Sequence, residues 1–135
     1  MSATLEHVYS EGAMRIALER KRQVEVEEWT FEHDDDHRRG EMAAAAACYA
    51  LIETRWDKEA ILGRSLVSEI LWPWDFKWWK PARSDKSVAP EVRIARKQKN
   101  LVRAGALIAA EIDRLEREKS RIHEEKIARA DAEQA

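Results

Sequence analysis

The chain of 135 residues contains a single cysteine, Cys48. That excludes an internal disulfide and a cysteine-only zinc site, and a reducing cytoplasm is the expected setting. Only three prolines and four glycines are present, a scarcity that fits a mostly helical chain. No apolar run reaches the roughly 18 residues of a membrane span. The opening residues, MSATLEHVYSEG, lack the basic start and apolar stretch of a signal peptide, so neither leader nor anchor is expected. Net charge is only −2, which argues against extended nucleic acid or a membrane surface as partner. Neither a Gly-rich phosphate loop nor a GxSxG turn occurs, and no catalytic residue is assigned.

What is present is charge and tryptophan. Charged residues make up 37% of the chain, and the length suits one domain with one modest core. Four of the six tryptophans, Trp72, Trp74, Trp78 and Trp79, fall within LWPWDFKWWKP. Rings this large gain nothing in a solvated loop, so the segment must pack into a core or onto a partner.

Ser10 caps an expected helix over roughly 11–27, after an irregular lead-in at 1–9. Three acids, Asp34 to Asp36, stand ahead of the alanine run 43–47 and predict a second helix from there to about 56. Residues 57–71 are open between short helix and loop, with a break at Gly63. Pro73 and Pro81 push the Trp segment out of helical geometry. Residues 82–90 read as a loop, with Pro90 opening a last helix from about 91 past 115. Leu101, Ile108, Leu115 and Ile122 recur every seven residues, with Gly105 and Ile112 between them, as in a coiled-coil seam. A homo-oligomer through 101–122 is one consequence. The expected architecture is all-α: a compact domain of three to four helices over 1–116, an irregular Trp-rich segment, and a charged helical tail over 117–135.

Charge is unevenly placed. Residues 25–36 hold seven acids and no Lys or Arg, whereas residues 77–103 hold nine basic residues against Asp85 and Glu91. The two blocks either face each other or leave the basic one free for phosphate.

Several constellations bear on chemistry. His33 and His37 are spaced i,i+4, as metal-binding pairs are, and the same EHDDDH stretch also reads as an acidic helix start or as a direct ligand contact. The tryptophans and the basic residues behind them could stack a base and neutralise its phosphates, or the rings could simply fill the core. Glu25–Glu28 matches the ExxE of helical nucleotide pyrophosphohydrolases, but the only ExxD, Glu32–Asp35, follows at once and not a helix away. Cys48 reads as a buried small residue.

Three pieces together resemble a family of small bacteriophage and prophage proteins: Trp29-Thr30 with Glu32-His33-Asp34-Asp35 and His37; Trp72-Pro73-Trp74-Asp75 with Trp78-Trp79-Lys80-Pro81; and Ala104 to Ile108 with Ala110-Glu111-Ile112 and Arg114-Leu115. The first piece is also similar to the ryanodine-receptor repeat, though it lacks that repeat's spacing to the aspartates and its proline-tyrosine stretch. The repeat's helical modules hold adenine-nucleotide-like ligands between aromatic rings. That similarity implies that Trp29, His33, Asp34 and Asp35 line a ligand pocket.

The expectation is therefore a non-enzymatic binding module in the cytoplasm of a bacterial host. It would hold a small anionic, nucleotide-like ligand and require no cofactor. Trp29, His33, Asp34 and Asp35 would contact ribose or base edges, Trp74, Trp78 and Trp79 would stack, and Lys80, Arg96 and Arg103 would meet phosphate. Such a module could sequester a host immune messenger. An assembly factor acting through the last helix, and a metal-dependent hydrolase centred on His33 and His37, are the alternatives.

Overall fold

A computed structural model describes residues 10–54, 67–83 and 86–135. Of these, 75% are helical and none lies in a strand, as the all-α expectation required. The helices are α1 (Glu11–Glu25), α2 (Phe31–Asp35), α3 (Glu41–Leu51), α4 (Val67–Leu71) and α5 (Pro90–Gln134). A single 3-10 turn, Phe76–Trp78, interrupts the Trp-rich segment. None of the described helices is long and apolar enough to cross a membrane.

Local signals set both ends of the chain. Ser10 Oγ accepts the Ala13 N–H, which starts α1. Pro90 occupies the first position of α5 and needs no hydrogen-bond partner there. α5 then runs unbroken for 45 residues, so the charged tail is a continuation of the same helix and is exposed beyond Glu118.

The middle of the chain departs from expectation. Asp34 to Asp36 do not open the alanine helix. Thr30 caps a five-residue helix of its own, its hydroxyl accepting the His33 N–H at 3.2 Å, and the aspartates end that helix. α3 begins only after Gly40, whose φ of +84° is a left-handed turn that glycine adopts without strain. α3 ends at Leu51, short of the expected 56, and Trp56 and the Gly63 break lie outside the described residues.

The principal contact is between α3 and α5. Ala45 and Ala46 of α3 and Ala104 and Ala110 of α5 are all but inaccessible. Side chains this small let the helix backbones approach closely. Met42, Cys48, Tyr49, Trp72 and Leu107 complete the core, and Trp29, Trp74 and Trp79 pack against it. Cys48 is thus a buried core residue, as its place among alanines suggested.

α1 lies against α5 at Gly105, where a Cβ would come within 2.4 Å of Ile16 Cδ1 and 2.7 Å of its Cγ1. Gly105→Ala gains about 1 kcal/mol of helix propensity but overpacks this contact, at a cost of about 1–3 kcal/mol. We expect the substitution to destabilise the protein in urea unfolding. In an Ile16→Ala background, where the obstacle is gone, the same change should stabilise it.

Candidate functional site

Two regions some forty residues apart in sequence meet across a cavity of about 400 Å³. Trp29, His33, Asp34 and His37 line one side, and Trp72, Trp74, Asp75 and Trp78 line the other. Tyr49 and Met42 of α3, with Leu107 and Ala110 of α5, close the remaining wall.

The rings form a continuous chain. Trp29 stacks on His33 at 5.9 Å with planes 8° apart. His33 meets His37 edge-on at 5.0 Å. His37 then contacts Trp74 at 5.1 Å, and Trp74 contacts Trp72 at 5.4 Å. Trp72 is fixed from behind: its indole N–H donates to the Asp75 carbonyl at 3.1 Å, and Tyr49 and Trp79 pack on its ring. Burial raises the Tyr49 phenol above its ordinary range. Trp74 also lines the cavity, and its buried indole N–H finds no acceptor among the described residues. Trp78 is 59% exposed at the rim, with the Lys77 ammonium 5.3 Å over its ring.

The acid-histidine turn is held by its own ion pairs. Asp34 is 1% exposed and accepts Arg20 Nη2 at 2.9 Å, which ties α2 to α1. His33 Nδ1 lies 3.2 Å from Asp34 Oδ1, and His37 Nδ1 lies 3.3 Å from Glu41 Oε2. For Glu41, partial burial works against the charged form, but hydrogen bonds from the Arg39 and Glu41 backbone and from His37 outweigh it and hold the carboxyl below its usual range. Each histidine therefore turns one ring nitrogen to a carboxylate within its own segment. Among the described residues, no group of three or more His, Cys, Asp or Glu is placed to hold a metal ion.

Five of the ten residues expected to contact a ligand line this cavity: Trp29, His33, Asp34, Trp74 and Trp78. The other five do not. Asp35 points to the far side of α2, where it accepts Arg117 Nη2 at 2.8 Å. Trp79 sits between Tyr49 and Trp72 against the core. The basic residues expected at phosphate serve the chain itself. Arg96 donates to the Arg83 carbonyl at 2.8 Å, and Arg103 donates to the Lys80 carbonyl. Between them, buried Asn100 both accepts from the Ala82 N–H and donates to the Ala82 carbonyl, at 2.8 and 2.9 Å. Lys80 remains exposed outside the cavity. An irregular segment must find partners for its backbone groups, and these side chains supply them. His37 joins the cavity through its ring, a role its metal-like spacing concealed. Leu107 and Ala110 are indistinguishable in sequence from ordinary core positions.

Comparison with protein-family models, curated proteins and solved structures finds no significant match to this chain.

Removing one partner of a buried ion pair leaves the other charge uncompensated, at about 3–5 kcal/mol. Asp34→Ala and Arg20→Ala should each lose stability on this scale in denaturant unfolding, and the double variant should lose far less than their sum. Asp35→Ala breaks a more solvated pair and should cost less than about 1 kcal/mol.

Proposed function

We propose that the protein is a non-catalytic binding module whose aromatic cavity holds the flat ring of a small, nucleotide-like ligand. The observation that carries this reading is the convergence of Trp29, His33, His37, Trp74 and Trp78 on one cavity of about 400 Å³. Cavities of roughly 300–1,000 Å³ accommodate small molecules, and stacking a base on aromatic rings contributes about 1–3 kcal/mol. The unpartnered N–H of Trp74 offers a donor for a ring nitrogen or carbonyl. Among the described residues no lysine or arginine lines the cavity, so it suits the base, with any phosphate lying beyond it. In a phage protein, which the sequence resemblance implies, such a module would sequester a host signalling nucleotide.

The test is tryptophan fluorescence titrated with nucleosides and nucleotides. Nucleosides should quench it, and Trp29→Ala or Trp78→Ala should weaken binding about tenfold or more, with the fold retained. Silence across the panel would remove the reading. Quenching by tetramethylammonium but not by nucleosides would make the cavity a cage for organic cations instead.

A second reading has its own observation. Leu101, Ile108, Ile112, Leu115 and Ile122 of the heptad seam are each 44–60% exposed on α5. A second copy of this chain, paired along that seam, would cover them. Gly105 is already filled by Ile16, so pairing would start at Ile108 and run toward the tail. Light scattering should then show a dimer that becomes a monomer on truncation after Glu116. A monomer at all concentrations would dismiss it.

A further inference from the structure

A second hollow, of about 230 Å³, lies against the other side of α2. Asp34 and His37 line the aromatic cavity, and their chain neighbours Asp35 and Arg38 line this one. The opposite wall comes from α5. Residues Arg114, Arg117, Glu118 and Arg121 stand there at spacings of three and four, which puts them on one side of the helix. Four guanidinium groups thus share a small concavity whose described lining includes two carboxylates, Asp35 and Glu118; Glu111 and Glu125 pair with Arg114 and Arg121 from outside it.

The four are not equally engaged. Arg114 is buried, with its Nε 2.8 Å from Glu111 and its Nη1 3.1 Å from Glu118. The Glu111 hydrogen bond raises its guanidinium above its ordinary range, so this charge is permanent. Arg117 is held by Asp35 and lies 4.5 Å over the Phe31 ring. These two are fixed in place. Arg38 makes no ion pair among the described residues, and its Nε donates only to the Asp35 carbonyl, at 3.2 Å. For Arg121 the nearest carboxylate is Glu125, at 3.8 Å between two solvated side chains. Both retain unused N–H donors at the mouth of the hollow.

Like charges gathered in a concavity repel one another unless an anion joins them, and the guanidinium fork matches the oxygens of a phosphate two at a time. We infer that this hollow is a binding site for a phosphate-type oxyanion, gripped by Arg38 and Arg121 and backed by the fixed charges of Arg114 and Arg117. The site stands on these residues alone and holds whatever fills the aromatic cavity. Its position across α2 also supplies the cationic subsite that Lys80, Arg96 and Arg103 do not provide.

Inorganic pyrophosphate is the probe, titrated by calorimetry into the intact protein at constant ionic strength with sodium chloride as the reference salt. Binding should be saturable. Arg38→Ala and Arg121→Ala should each weaken it about tenfold or more, the loss of a charged hydrogen bond. Lys97→Ala, at an exposed basic position on the far stretch of α5, should leave it unchanged. Neither arginine lies in the core, and circular dichroism checks that each variant keeps its helices. Absence of binding to the unmodified protein would overturn the inference. So would equal weakening in all three variants, which would mark general charge attraction. A nucleoside titrated in parallel reports the aromatic cavity separately, so failure of one site is not mistaken for failure of the other.

Discussion

The amide of Asn100 is the constraint on which the Trp-rich segment depends. Residues 72–83 have one turn of 3-10 helix and no other regular structure after α4, so they cannot position themselves. Asn100 is fully buried and spends both ends of its amide on the backbone of Ala82. Leaving either end unpaired would cost about 1–3 kcal/mol, so the pairing is close to obligatory once α5 packs on α3. Arg96 and Arg103 lie one turn to either side on the same face and take the carbonyls of Arg83 and Lys80. With the segment pinned at its end, Trp79 falls on Tyr49 and Trp72, and Trp74 is set opposite His37. The aromatic wall is a consequence of three polar residues on a helix some twenty positions further along.

The same three residues show where sequence reasoning succeeds and where it stops. That the tryptophans must pack was legible, because large rings leave few alternatives. That they would meet the acid-histidine turn was a reasonable expectation from the needs of a pocket. The role of Arg96 and Arg103 was not legible. A guanidinium bonds a carbonyl and a phosphate equally well, and only the path of the neighbouring chain decides between them. Helix boundaries divide similarly. Ser10 and Pro90 act within one turn of their own positions, so the starts of α1 and α5 follow from local chemistry. The triple aspartate misleads because two competing signals override it. Thr30 caps earlier, and Asp34 is drawn into a buried pair with Arg20, fourteen residues away on another helix. Gly40 then restarts the chain in a new direction.

The two charge blocks illustrate how little net charge says about pairing. No ion pair among the described residues joins 25–36 to 77–103. Asp34 is matched by Arg20, Glu27 by Arg22 and Asp35 by Arg117. The paired acids of that block thus take their partners from α1 and from the later half of α5, while Arg96 and Arg103 of the basic block hold backbone carbonyls. Blocks that look complementary in sequence are complementary in space only if the elements carrying them pack together. Here α2 reaches α5 beyond the basic block, near Arg114 and Arg117.

This division of charge limits what each hollow can accept. Among the described residues, the aromatic cavity is lined by two carboxylates, one already paired with Arg20, and by no lysine or arginine. Bringing a phosphate into it would desolvate an anion beside Asp75 with no cation among the described lining residues to compensate, a cost of several kcal/mol. A flat neutral ring would carry no such penalty in a cavity lined by aromatic side chains. Across α2 the balance reverses: the described lining holds four guanidinium groups, two carboxylates and no apolar residue. The two hollows therefore differ in chemistry while sharing α2, with Asp34 beside one and Asp35 beside the other. That helix is only five residues long, and its geometry is maintained by Asp34 on one side and Asp35 on the other. A ligand engaging either hollow must act on a segment that both pairs already restrain.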